Sequence, residues 1–141
     1  MADKYYFDTS IWRDYFEDRK DKYKPLGEWA FELIKKIIKE KSIVLYSQLV
    51  IDELRRYWPE DTINSCFGAF RSEGLLVKVE DTLEQRKEAR MIAFERKVPK
   101  GDAFHAILAR DNQAVMVARD HHFLELDDIT WHKKPEEIIF S

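Results

Sequence analysis

A single cysteine, Cys66, leaves no partner for an intrachain disulfide and no set for a cysteine zinc cluster, which suits a reducing compartment. No apolar run approaches the roughly 20 residues that cross a bilayer. The opening MADKYY also lacks the basic-then-apolar layout of a secretion signal, so a cytoplasmic protein with no membrane partner is expected. Positive charge is not in excess either: 24 Lys and Arg face 27 Asp and Glu, a formal net charge of -3. That balance does not fit a body that grips nucleic acid by bulk electrostatics, so any contact with a polyanion must be local. Internal repeats, low-complexity tracts and linkers are missing. What remains is a chain 45% hydrophobic, and residues 1–141 read as one domain able to bury a core.

Strand and helix signals alternate along it. Lys4 to Phe7 is a strand candidate, and Asp8, Thr9 and Ser10 follow it as helix-capping residue types. Pro25 opens a second helix on which Trp29, Leu33 and Ile37, with Phe31, Ile34 and Ile38, make a broad apolar face ending near Lys41. Ser42 to Tyr46 reads as a buried strand, and Ser47 caps a helix reaching about Tyr57. Gly74 breaks a further helical pattern before a strand over Leu75 to Val79. Asp81 and Glu84 have the spacing of a capping box opening a helix to about Lys97, and another runs from about Asp102 to Asn112. Ala114 to Ala118 is an unbroken small and β-branched run, typical of a strand covered on both faces. An edge strand at Ile129 to Trp131 and a short helix or strand at Pro135 to Ile139 complete the reading. Such alternation predicts a three-layer α/β/α sandwich with a mostly parallel sheet.

Ligands of open parallel sheets gather outside the carboxyl ends of the strands. Asp8 follows the first strand and Asp120 the Ala114 to Ala118 strand, so the two meet if those strands are neighbours; capping and turn formation are the plainer roles of each. Glu53 falls inside the apolar arc of its helix, with Leu49, Val50, Leu54 and Trp58, whereas Asp52 falls opposite. A carboxylate on a buried face needs a partner: a cation, or a salt bridge with Lys or Arg. Asp102 opens a helix on which Ala106 and Ala109 allow close approach to the sheet. Clustered carboxylates raise one another's pKa unless a cation neutralises them, and all-oxygen donors suit Mg2+ or Mn2+. Such ions activate water for phosphodiester hydrolysis.

Five segments, in this order, resemble a PIN domain: Tyr5-Tyr6-Phe7-Asp8-Thr9-Ser10, Val50-Ile51-Asp52-Glu53-Leu54, Gly101-Asp102-Ala103-Phe104-His105-Ala106, Val117-Ala118-Arg119-Asp120-His121-His122-Phe123 and Lys134-Pro135-Glu136-Glu137-Ile138-Ile139. The resemblance spans nearly the whole chain. It implies a Rossmann-like fold, with Asp8, Glu53, Asp102 and Asp120 around one or two Mg2+ or Mn2+ ions and Ser10 supporting them by a hydrogen bond. It further implies RNA cleavage by metal-activated water and, at this size, a homodimeric VapC-like toxin silenced by an antitoxin protein. Ala118 stands where the family often has Thr, and His122 where a further Asp can follow. The class-level alternative is a non-catalytic PIN-like module that binds RNA or protein.

Other residues read more blandly. His105 is expected to be packed or on the surface, without an assignable partner. His121, His122 and His132, with Asp127 or Asp128, suggest zinc, but adjacent histidines in a loop rarely converge, and surface histidines are expected. Lys20, Lys22 and Lys24 with Arg13 and Arg19 are interleaved by Asp14, Glu17, Asp18 and Asp21, which reads as a solvated face. Trp12, Trp58 and Trp131 are expected in core or interface.

Overall fold

The computed structural model describes residues 4–141; Met1, Ala2 and Asp3 of the expected 1–141 domain lie outside the described residues. The order is β1 (Lys4–Phe7), α1 (Thr9–Glu17), α2 (Leu26–Glu40), β2 (Ile43–Tyr46), α3 (Gln48–Leu54) and α4 (Glu60–Ser72). There follow β3 (Leu76–Lys78), α5 (Leu83–Arg96), α6 (Lys100–Asp111), β4 (Val115–Val117), a 3-10 turn at His121–Leu126, β5 (His132–Lys133) and α7 (Pro135–Ile139). The five strands form one sheet in the order β3-β2-β1-β4-β5, and every pairing is parallel. This is the expected α/β sandwich, and β1 and β4 are indeed neighbours.

The chain first builds the sheet from β1 outward through β2 and β3, then crosses back to add β4 on the other side. Right-handed crossovers taken in opposite directions put their helices on opposite faces. Alternation along β1 bears this out: Phe7 meets Trp12 of α1 and Phe70 of α4, while Tyr6 points the other way onto His105 of α6. The order reverses between β1 and β4, which opens a crevice at their carboxyl ends. There the backbone N–H of Asp8 donates to the Val117 carbonyl at 2.9 Å, fixing the start of α1 against β4.

Local chemistry explains most boundaries. Ser47 caps α3 by accepting from Val50 N–H at 3.3 Å. Gly74, at φ +71, takes the left-handed turn into β3 that a side chain would disfavour. The capping box of α5 is Thr82 with Gln85, one residue later than expected, because Asp81 instead pairs with Arg86 at 2.8 Å. The edge strand is His132–Lys133, not Ile129 to Trp131; Lys133 O accepts from Ala118 N–H, and Trp131 is 76% exposed. Helix α2 owes its broad apolar face to neighbours on two sides. Ala30, Leu33, Ile34 and Ile37 are buried, Trp29 meets Phe140 just past α7, and Phe31 stacks on Tyr15 of α1 while staying half exposed. Trp12 is core, and Trp58 is buried with its indole N–H donating to Glu17. Among the described residues no helix is long and apolar enough to cross a membrane.

Candidate metal centre

Asp8 occupies the N-cap position of α1, yet its side chain caps nothing. It is buried and instead accepts the Ser10 hydroxyl at 2.8 Å. Ser10 thereby holds the carboxylate in place. Burial raises the pKa of Asp8, opposed by nearby His105 and the Ser10 hydrogen bond.

Glu53 reaches the same place from α3. Its neighbour Asp52 is exposed and accepts from Gln48, as the helical phase requires. The partner of Glu53 is neither Lys nor Arg: Oε1 lies 2.7 Å from His105 Nε2 and 2.5 Å from Thr9 Oγ1, which donates to it. Burial acts upward on Glu53, but these two partners outweigh it and hold its pKa down. Behind His105, Nδ1 meets Tyr6 OH at 2.7 Å, and that hydroxyl meets Ser47 Oγ at 2.7 Å. The expectation that His105 has no assignable partner is therefore corrected. It is fully buried and tied to β1, α3 and the start of α3's cap; burial lowers its pKa, but Glu53 and Asp8 raise it further. Gly101 permits this closeness, because a Cβ there would stand 2.7 Å from Glu53 Oε2.

Asp102 lies in the first turn of α6, which starts at Lys100 rather than at Asp102 itself. Its Oδ2 is buried without a hydrogen-bond partner. Burial raises the pKa to about 7, with the charges of Asp8 and Asp120 adding to the effect and His105 and His122 opposing it. Asp120 forms the fourth corner and is the most open. Its Oδ1 accepts the His122 backbone N–H at 2.9 Å, so the expected turn role is real. His122 Nδ1 lies 2.8 Å from that oxygen and 3.5 Å from Asp102 Oδ2, yet in hydrogen-bonding geometry with neither.

The carboxylates thus form a row rather than a tight square. Asp8 and Glu53 meet around His105, and Asp120 gathers with His121 and His122; each set offers atoms within 4.8 Å of one another. Asp102 stands between. A hard divalent cation fits the centre of this row: the donors there are carboxylate oxygens, one of them buried and unpaired, and the charges of Asp8 and Asp120 add to the burial that raises Asp102.

Two hollows flank the row. One, of about 160 Å³, is lined by Asp8, Glu53, Arg13, Arg56 and Tyr57, with the Arg13 guanidinium 3.6 Å above the Tyr57 ring. The other, of about 400 Å³, lies beyond Ser10 and includes Arg19, Lys20, Arg119 and Asp120. Here the solvated-face reading needs one correction: Asp14 is buried and paired with Arg19 at 2.8 Å. His132 turns away to Asp127 at 3.0 Å and joins neither group.

A scan against family models finds no match, and neither does a comparison with curated proteins. Among solved structures the chain is similar to the crystal structure of PAE2754 from Pyrobaculum aerophilum, at a TM-score of 0.57 and 20% identity. The match covers 99% of this chain and 96% of that one. A likeness at that identity speaks for the fold alone.

Proposed function

We propose that this protein is a Mg2+- or Mn2+-dependent endoribonuclease of the PIN-domain kind, hydrolysing RNA phosphodiester bonds with metal-activated water. The observation that carries the reading is Asp102 beside Asp8 at the β1–β4 crevice, with a buried unpaired oxygen and a pKa raised to about 7. Carboxylates used only for capping or ion pairing would be satisfied by the protein itself.

Asp8 and Asp102 are the residues to hold an ion directly, with Glu53 and Asp120 acting on its waters. When bound, the ion supplies a more acidic water and a Lewis acid for a phosphoryl oxygen. Ser10 fixes the orientation of Asp8, and His105 with Thr9 fixes Glu53. Arg13, itself paired with Glu17 at 2.9 Å, and Arg56 line the hollow beside the acidic row, and they are the groups that would meet RNA phosphates locally despite the negative net charge. Tyr57, 56% exposed, offers a face to an unpaired base.

The toxin–antitoxin and homodimer readings rest on the family resemblance. An antitoxin Arg or Lys among Asp8, Glu53, Asp102 and Asp120 would substitute for the cation. Half-exposed Phe31 and Trp29 of α2, with Phe140 just past α7, form the patch a second subunit would cover.

The test is incubation of the purified chain with labelled single-stranded RNA and Mn2+ or Mg2+, with and without chelator. Cleavage that the chelator stops supports the enzyme. Binding without any cleavage under all ions would favour the non-catalytic module instead.

A further inference from the structure

Asp120 and the two residues after it depart from what adjacent loop histidines are expected to do. Because Asp120 Oδ1 holds the His122 backbone N–H, the chain curls at once into the 3-10 turn and brings both imidazoles back over Asp120. The ring centroids of His121 and His122 are 4.2 Å apart. His121 Nδ1 lies 3.5 Å and His122 Nδ1 2.8 Å from Asp120 Oδ1, and His122 Nδ1 lies 3.5 Å from Asp102 Oδ2. Two of these atoms, Asp102 Oδ2 and His122 Nδ1, are buried and without hydrogen-bond partners. Unsatisfied buried polar atoms are rare in folded proteins, so two of them 3.5 Å apart point to a missing third party.

We propose that His122 and His121, with Asp102 and Asp120, form a cation position that takes a borderline transition ion of the Zn2+ class in preference to Mg2+. The inference rests on the nuclease reading only in sharing Asp102 and Asp120 with it. The spacing suits an ion: Asp120, His121 and His122 each offer a ligand atom within 4.8 Å of the others, and Asp102 Oδ2 lies 3.5 Å from His122 Nδ1, about the 3.3–3.6 Å between neighbouring ligands of a tetrahedral zinc. The donor chemistry chooses among ions. Imidazole nitrogens suit zinc, cobalt and nickel, whereas Mg2+ prefers oxygens and keeps its waters. His121 and Asp120 are exposed, so the position is open to solvent on one side and an ion can enter.

The experiment uses the metal-free full chain. Zn2+ is titrated by calorimetry, Co2+ by its visible absorption, and the imidazole signals are followed by NMR. Wild type is expected to bind Zn2+ in the presence of a large excess of Mg2+, with signals of His121 and His122 shifting while those of His105 and His132 stay. His122→Ala is expected to weaken Zn2+ binding by more than the about 10- to 100-fold typical of losing an outer-shell partner. His132→Gln, away from the cluster, leaves it unchanged. Zinc binding that survives His122→Ala, yields readily to Mg2+, or shifts His105 instead would overturn the proposal. No RNA enters these readouts, so zinc bound here by a protein that cuts no RNA sinks only the nuclease reading. Chelator-sensitive cleavage with zinc binding indifferent to His122 sinks only this one.

Discussion

Replacing Asp102 with Asn removes the charge that the site can least accommodate without a cation, and the effect on stability has a definite sign and pH window. The Asp102 pKa rises from its ordinary 3.8 to about 7. A group whose pKa is raised on folding contributes stability that is fully present below the unfolded value and is lost as pH climbs through the folded one. In metal-free buffer the wild type should therefore lose stability between about pH 4 and pH 7 on account of this residue, while Asp102→Asn should not. At 1.36 kcal/mol per pKa unit the full shift corresponds to about 4 kcal/mol. Part of it is repulsion shared with Asp8 and Asp120, so about 2 kcal/mol is a fair expectation for the single substitution. For a chain of this length that amounts to a melting temperature higher by about 6 °C near pH 8 and by almost nothing near pH 4. Thermal melts of both proteins in chelator across that range make the comparison. A variant that melts below wild type at every pH, or a difference that does not grow with pH, would show that Asp102 is structural and refute the repulsion argument.

Other substitutions probe the neighbouring residues. Glu53→Gln should abolish metal-dependent RNA cleavage and Asp52→Asn should leave it intact, measured on one RNA; equal loss from both would reject the facing of α3. His105→Leu leaves Glu53 with only the Thr9 hydroxyl and Tyr6 OH with only Ser47, and should destabilise the fold by about 3–5 kcal/mol in denaturant melts; a loss below about 1 kcal/mol would mean the chain of bonds is not coupled. Gly101→Ala drives a Cβ toward Glu53 Oε2 and should cut cleavage severely while the fold persists by circular dichroism; wild-type rates would show that Glu53 need not sit there. Sedimentation at micromolar concentration should show a dimer, weakened by Phe31→Glu, and a strict monomer would end that proposal.

Much of this was legible in the sequence because it depends on periodicity and on neighbours in the chain. The alternation of strands and helices, and Asp8 and Asp120 at strand ends, follow from local patterns; Glu53 was visible as a carboxylate inside an apolar arc. What escaped depends on contacts between distant segments. His105 takes its partners from Tyr6 and Glu53, 99 and 52 residues away, and the only hint was its place in the buried run Phe104 to Ala109. Asp14 looked solvated because its pairing with Arg19 requires the chain to reverse through the left-handed Asp18. The convergence of His121 and His122 needed the 3-10 turn, which a six-residue stretch of mixed character does not announce. The displaced edge strand has the same origin: pairing with Ala118 chose Lys133 over the more β-prone Ile129 and Trp131.

The most direct measurement concerns the ends of the RNA that cleavage leaves. On the proposed mechanism, Asp8 and Asp102 would hold the ions that activate water, and its attack at phosphorus would break the bond without using the substrate's 2′-hydroxyl. Labelled RNA treated with Mn2+ and the wild-type chain should yield 5′-phosphate and 3′-hydroxyl ends, with no cleavage in chelator and none by Asp8→Asn. Products ending in a 2′,3′-cyclic phosphate, formed equally well in chelator, would contradict a metal-dependent hydrolysis at these carboxylates.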